Sequence, residues 1–249
     1  MLVWPTLTVL LALGASPLTA AVDERPSAFV DLLYPAEALA ARVAGVVVIG
    51  VTTDSTGRVV AAEPLSGPAV LRPAAVANVK QWRLSPRART EPIVYRFEID
   101  IASCNDDGHS LFRLTQPNLA VVTACTRPGR APLPPPDDSV LIVSTGADAT
   151  YPYIARNGGF TGVTVLELSI DASGAVTEAR ALNELGLFND AAVAHAKTWR
   201  VRTNGPRRAI VVYEFALDNY DCHPDTRTVF WRVTTDYLRL SACRPTIQP

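Results

Sequence analysis

LRPAAVANVKQWR, residues 71–83, is a short amphipathic stretch that returns as FNDAAVAHAKTWR, residues 188–200. In the first, Leu71, Ala75, Asn78 or Val79, and Trp82 fall three or four residues apart, so one face of a helix carries the tryptophan into a core. Phe188, Ala192, Ala196 and Trp199 repeat that pattern. Two copies of one packed helix require two copies of whatever it packs against, so the chain reads as a tandem duplication. Trp82 and Trp199 are core anchors on this reading rather than exposed binding surfaces, because their helical neighbours are apolar.

Outward from the tryptophans the copies stay in register. Tyr151, Pro152, Gly162, Asp171 and Gly174 stand 117 residues after Tyr34, Pro35, Gly45, Asp54 and Gly57. One insertion after Trp199 makes the offset 118, which matches Tyr213 to Tyr95 and Phe215 to Phe97. Each copy opens on Tyr-Pro. A proline in the first turn of a helix forfeits no hydrogen bond, so Pro35 starts a short helix that runs to Val43 and ends at Gly45. Residues 46–53 form a β-branched run and 58–65 its hairpin partner. Gly57 takes a positive φ in the turn between them, and Asp54 bonds its own backbone there. Gly67 and Pro68 lead into the Trp82 helix. Beyond the loop between Pro86 and Pro92, residues 93–101 read as a strand with Tyr95, Phe97 and Ile99 on one face. A further hairpin follows, 111–115 and 119–124 about Gln116, Pro117 and Asn118.

Cys104 and Cys125 stand 21 residues apart, as do Cys222 and Cys243. Equal spacing in two copies selects one disulfide within each, which closes the terminal hairpin and requires an oxidising compartment. Neither pair has the short spacing of a zinc site. The N-terminus fits export. The first charged side chain is Asp23, behind an apolar stretch at 7–14 and small residues around Ala20 and Ala21, so residues 1–21 read as a signal peptide. An uncleaved membrane anchor is the alternative, and only then would the chain touch a membrane. The domains then run 28–126 and 139–245, joined by a proline-rich linker at 127–138. A formal charge of −1 gives no general attraction to nucleic acid or to an anionic membrane.

The chemistry-bearing side chains are scattered. His109, His195 and His223 have no aligned counterpart, and His195 stands in the second tryptophan helix where the first copy has Asn78, so it reads as structural. Asp106, Asp107 and His109 make a solvated turn rather than a metal site. Arg83, Arg87 and Arg89, with Arg200, Arg202, Arg207 and Arg208, lie between helix and last strand as solvated loops, or as a surface for an anionic partner such as cell-wall glycopeptide. The expectation is therefore no catalytic residue, no metal and no cofactor.

The ordered set of Tyr-Pro, short helix, Gly45, strand, Asp54-x-x-Gly57 turn, strand, helix ending in Trp82 and Arg83, then strand, occurs twice and resembles the TonB C-terminal domain. The resemblance covers residues 34–101 and 151–217. It implies an α+β fold: two tandem TonB C-terminal-like domains, each with two short helices on a small antiparallel sheet, extended here by the disulfide-closed hairpin. Tyr34, Pro35, Gly45, Gly57 and Trp82, with Tyr151, Pro152, Gly162, Gly174 and Trp199, are its structural positions. It also implies a periplasmic binding function linked to TonB-type energy-dependent transport, in which the last strand adds an extended segment of an envelope or outer-membrane protein to the sheet edge. Here that strand carries Ile93, Tyr95, Phe97 and Ile99, and Val211, Tyr213, Phe215 and Leu217. Pairing of the hairpin with this strand would occupy the edge. The alternative role is then a structural scaffold of the envelope with self-covered sheet edges.

Overall fold

The computed structural model describes residues 25–100, 110–125, 141–218, 229–232 and 236–243. The expected signal peptide and linker lie outside them, as do Cys104, Cys222, Asp106, Asp107, His109 and His223. Among the described residues no helix is long and apolar enough to cross a membrane.

The first repeat comprises α1 (Ala36–Ala40), β1 (Gly45–Thr53), β2 (Val59–Ser66), α2 (Arg72–Val79), β3 (Arg89–Ile99), β4 (Leu111–Gln116) and β5 (Leu119–Ala124). The second adds a lead strand, β6 (Ile142–Thr145), then α3 (Tyr153–Asn157), β7 (Gly162–Ile170), β8 (Val176–Ala181) and α4 (Leu187–Ala196). It closes with β9 (Arg200–Arg202), β10 (Arg207–Asp218), β11 (Val229–Arg232) and β12 (Tyr237–Cys243). The sheets are ordered β2-β1-β3-β5-β4 and β11-β12-β10-β7-β8, the same topology twice, while β6 and β9 form a separate ribbon. The α+β class holds.

Three local expectations are corrected. The sheets are mixed, not antiparallel: β5 runs parallel to β3, and β12 to β10. The chain places β4 at the outer edge and folds β5 back through a two-residue turn into the gap beside β3. The first helix stops at Ala40 rather than Val43, because Arg42 adopts φ 55° and the Arg42 and Val43 amides return to the Leu39 and Ala38 carbonyls. The tryptophan helix stops at Val79, and Trp82 is carried on the tight turn beyond it, its amide donating to the Val79 carbonyl at 3.0 Å.

The hairpin turn behaves as the sequence implies. Asp54 Oδ1 accepts from the amides of Thr56 and Arg58 at 2.8 and 3.1 Å, and Gly57 sits at φ +78°. A Cβ on Gly57 would run into the Leu84 carbonyl oxygen, and one on Gly174 into that of Val201, so both turns are docked on the segment after the tryptophan.

Alternation along the strands sorts side chains into three cores. Val47, Ile49, Val51, Ile93, Tyr95 and Phe97 meet Leu71, Ala75, Val79 and Trp82 beneath the first pair of helices. Leu166, Leu168, Ile170, Val211, Tyr213 and Phe215 meet Phe188, Ala192, Ala196 and Trp199 beneath the second. The opposite faces pack on each other through Val46, Val48, Val94 and Leu119 on one sheet and Val163, Val165, Val212 and Tyr237 on the other. The central strands are thus covered on both faces, which is why residues 46–51 are so nearly all apolar.

Candidate functional site

The strand expected to receive a partner lies inside the fold. Ile93, Tyr95, Phe97, Val211, Tyr213 and Phe215 are buried in the helix-side cores, with Ile99 and Leu217 packed at their margins. Their backbones are engaged as well. Over Val94–Phe97, β3 has β1 on one side and β5 on the other, and β10 is held likewise by β7 and β12 from Val212 to Phe215. The first part of each strand, 89–93 and 207–211, and its end, 98–99 and 216–218, have a single partner among the described residues, and Pro92 removes a donor from the first of these.

The outer edges are β2 and β4 in one sheet and β8 and β11 in the other. They are unequal. Two register irregularities and Pro64 interrupt β2, while β8 carries Glu178 and Arg180, the latter held at 2.6 Å by Glu167. Such bulges, prolines and charges blunt an edge against further pairing. β4, with sequence LFRLTQ, has no proline, carries the single charge of Arg113 and one register irregularity next to Gln116, and is half-exposed.

A polar latch behind each tryptophan accounts for Asn78 and His195. Asn78 Oδ1 accepts from Trp82 Nε1 at 2.9 Å and from the Tyr95 hydroxyl at 2.8 Å, while its Nδ2 donates to the Val30 carbonyl at 3.0 Å. His195 lies 2.8 Å from the Ala147 carbonyl through Nε2 and 2.9 Å from the Tyr213 hydroxyl through Nδ1. A carbonyl can only accept, so Nε2 carries the proton and Nδ1 accepts from the tyrosine. Val30 and Ala147 are themselves 117 residues apart, so an amide and an imidazole do the same work. Each accepts from the strand tyrosine and ties the lead segment to the end of the helix. Both ring nitrogens of His195 are engaged in this way, as a structural histidine's are. The same leads bridge onto the chain after the tryptophan, Ala28 to Arg83 and Thr145 to Arg200.

The paired tyrosines at the repeat starts are equally structural. The Tyr34 hydroxyl donates to the Val43 carbonyl at 2.7 Å, and the Tyr151 hydroxyl to that of Phe160. Their rings stand edge-on to Phe97 and Phe215, each at 5.6 Å. Burial, with a smaller contribution from the Glu98 charge, pushes the Tyr34 hydroxyl up to about 12.

Arg83, Arg87, Arg200, Arg202 and Arg208 of the arginine loops are exposed, and two of the loop arginines meet carboxylates. Arg89 pairs with Glu91 at 2.8 Å, and Arg208 approaches Glu167 at 3.5 Å. Among the described residues no three histidine, cysteine, aspartate or glutamate side chains gather as a metal site. One charged cluster is unforeseen: Arg96 reaches Glu214 between the two sheets at 3.2 Å. Its only trace in the sequence is opposite charge at aligned positions in otherwise apolar strands.

Tyrosine latch, tryptophan turn, docked hairpin and strand recur twice in one order, and the comparison with known families falls on the same stretches. The model of the Gram-negative bacterial TonB protein C-terminal matches residues 30–102 and 147–216, more than half of the chain. The chain belongs to the TonB C-terminal family, in two tandem copies. The family comprises periplasmic protein-interaction domains of Gram-negative bacteria and is not an enzyme family. No curated protein and no solved structure matches the chain significantly.

Proposed function

We propose that the chain is an exported, non-enzymatic binding protein of the cell envelope that adds an extended segment of an envelope or outer-membrane protein to a sheet edge. Family membership over both repeats is the observation that carries this reading. The receiving edge is moved outward, from β3 to β4 and from β10 to β11, because β5 and β12 fill the inner positions. An added strand would find unpaired backbone groups on β4 and sequence-selective contacts in every second side chain. The pairing of Cys104 with Cys125 and of Cys222 with Cys243 would fix the inserted strands in place. Among the described residues no cysteine is free, which is compatible with this pairing.

The experiment is capture of envelope proteins by the mature chain, with Leu114→Pro on β4, whose amide faces away from β5, as the blocking variant and its unfolding midpoint as the check on the core. Capture lost with the proline supports strand addition. Capture unchanged by the proline refutes the β4 edge, and no capture under mild cross-linking refutes the binding role. A second reading, a scaffold without energy transduction, is favoured by the two-sided pairing of β3 and β10. It requires that amide exchange along β4 stay unchanged when envelope extract is added.

A further inference from the structure

The sheet-to-sheet core is built from aligned positions. Val46, Val48, Val94 and Leu119 correspond by the repeat offsets to Val163, Val165, Val212 and Tyr237, and these eight buried residues make up that core. Each repeat therefore offers the same patch to the other, as two subunits do across a two-fold axis. Arg96 and Glu214 are also aligned, and they touch each other, Nη1 to Oε2 at 3.2 Å. Equivalent residues meet only close to such an axis, so this pair marks it.

From this we propose that the buried sheet face is a dimerisation surface of the repeat, used here within one chain and made selective by the Arg96–Glu214 pair: repeat one accepts repeat two and rejects a copy of itself. The surroundings of the pair are as asymmetric as the pair. Glu214 is 7% exposed and accepts from the Tyr237 hydroxyl at 2.6 Å, while the Arg96 guanidinium lies over the Tyr237 ring at 5.5 Å. Repeat one has Leu119 where repeat two has Tyr237, and Val121 where repeat two has Arg239. The self-pairing of repeat one would set two Arg96 side chains against each other with no hydroxyl to share, only the partly exposed Glu98 beside each, at 3.3 Å. A like-charge contact removed from water is the strongest available penalty against a wrong partner. The rejection is weaker for repeat two, whose Glu214 has its own Arg239 at 3.9 Å. A further asymmetric contact, Asn118 Nδ2 to the Val163 carbonyl at 3.2 Å, sets the same orientation.

The test uses the full chain with a protease site placed within 127–138, cut after folding. The halves of the parent should stay together as a one-to-one complex. Arg96→Glu and Glu214→Arg should each weaken their association at least about tenfold, and the double exchange should restore it to within about threefold. The variant Arg96→Met with Glu214→Leu separates selectivity from folding. It should keep the halves associated but also yield complexes of repeat one with itself in exchange with a tagged copy. Dissociation of the cut parent, failure of the exchange to rescue, or a neutral pair that stays strictly one-to-one would each overturn the proposal.

Discussion

Replacing Asn78 by alanine removes one small side chain and three hydrogen bonds, and the consequences differ for each partner. Trp82 Nε1 and the Tyr95 hydroxyl are buried, and each loses its acceptor at 2.9 and 2.8 Å. A buried donor left without a partner costs about 1–3 kcal/mol. The Val30 carbonyl is partly exposed and can turn to water, so its share is small. Together these put Asn78→Ala at about 2–5 kcal/mol, a large part of the stability of a domain of this size. The loss should appear as a lower urea midpoint with the slope unchanged. It should also be local first. The bond from Asn78 to Val30 holds the lead, so the amides of Ala28 and Arg83, which exchange hydrogen bonds at 3.2 and 2.8 Å, should lose protection before the sheet does. Asn78→His, the solution used at position 195, should cost less than alanine because it keeps an acceptor and a donor. A loss below about 0.5 kcal/mol for alanine, or global destabilisation without faster exchange at Ala28 and Arg83, would refute the latch.

Three further outcomes follow from individual residues. Arg42→Gly should stabilise by up to about 1 kcal/mol, because Arg42 holds φ 55° where the second repeat has Gly159 at φ 73°, and a rise in thermal midpoint reads it. Trp82→Ala should cost about 3–5 kcal/mol by cavity formation, measured by denaturant unfolding, and a stable variant that loses only binding would make the tryptophan a contact residue instead. In alkali, the Tyr34 hydroxyl is raised from 10.0 to about 12, so its contribution is complete below the unfolded value and lost as pH rises through the folded one. The urea midpoint should therefore stay level up to about pH 10 and fall between about 10 and 12, with tyrosinate absorbance rising late.

What the sequence made legible is what local chemistry dictates. The Asp54 to Gly57 turn closes through its own backbone, and the 3.6-residue spacing that ends at Trp82 needs no distant partner to be recognised. The parallel insertion of β5 had no such sign: LAVVTA is apolar almost without a break, the mark of a strand buried on both faces, but such a run reads the same whichever way it lies beside its neighbour. The latch was hidden because Asn78 and His195 share no composition, only a geometry set by carbonyls 48 residues upstream in both cases. The packing of one sheet on the other was half visible. An alternating strand marks one buried face, but residues 46–49 are apolar without a break, the pattern of a strand covered on both sides. No helix was left to cover the second face, so another sheet had to. Once that second face is granted, a charge in the middle of it demands a partner at the same depth. Glu98 of its own repeat stands beside Arg96 but is partly exposed, and the buried partner comes from the other repeat, where across a two-fold arrangement the equivalent residue 118 positions later is Glu214. Two identical repeats could not have satisfied that requirement, because the same side chain would have met itself.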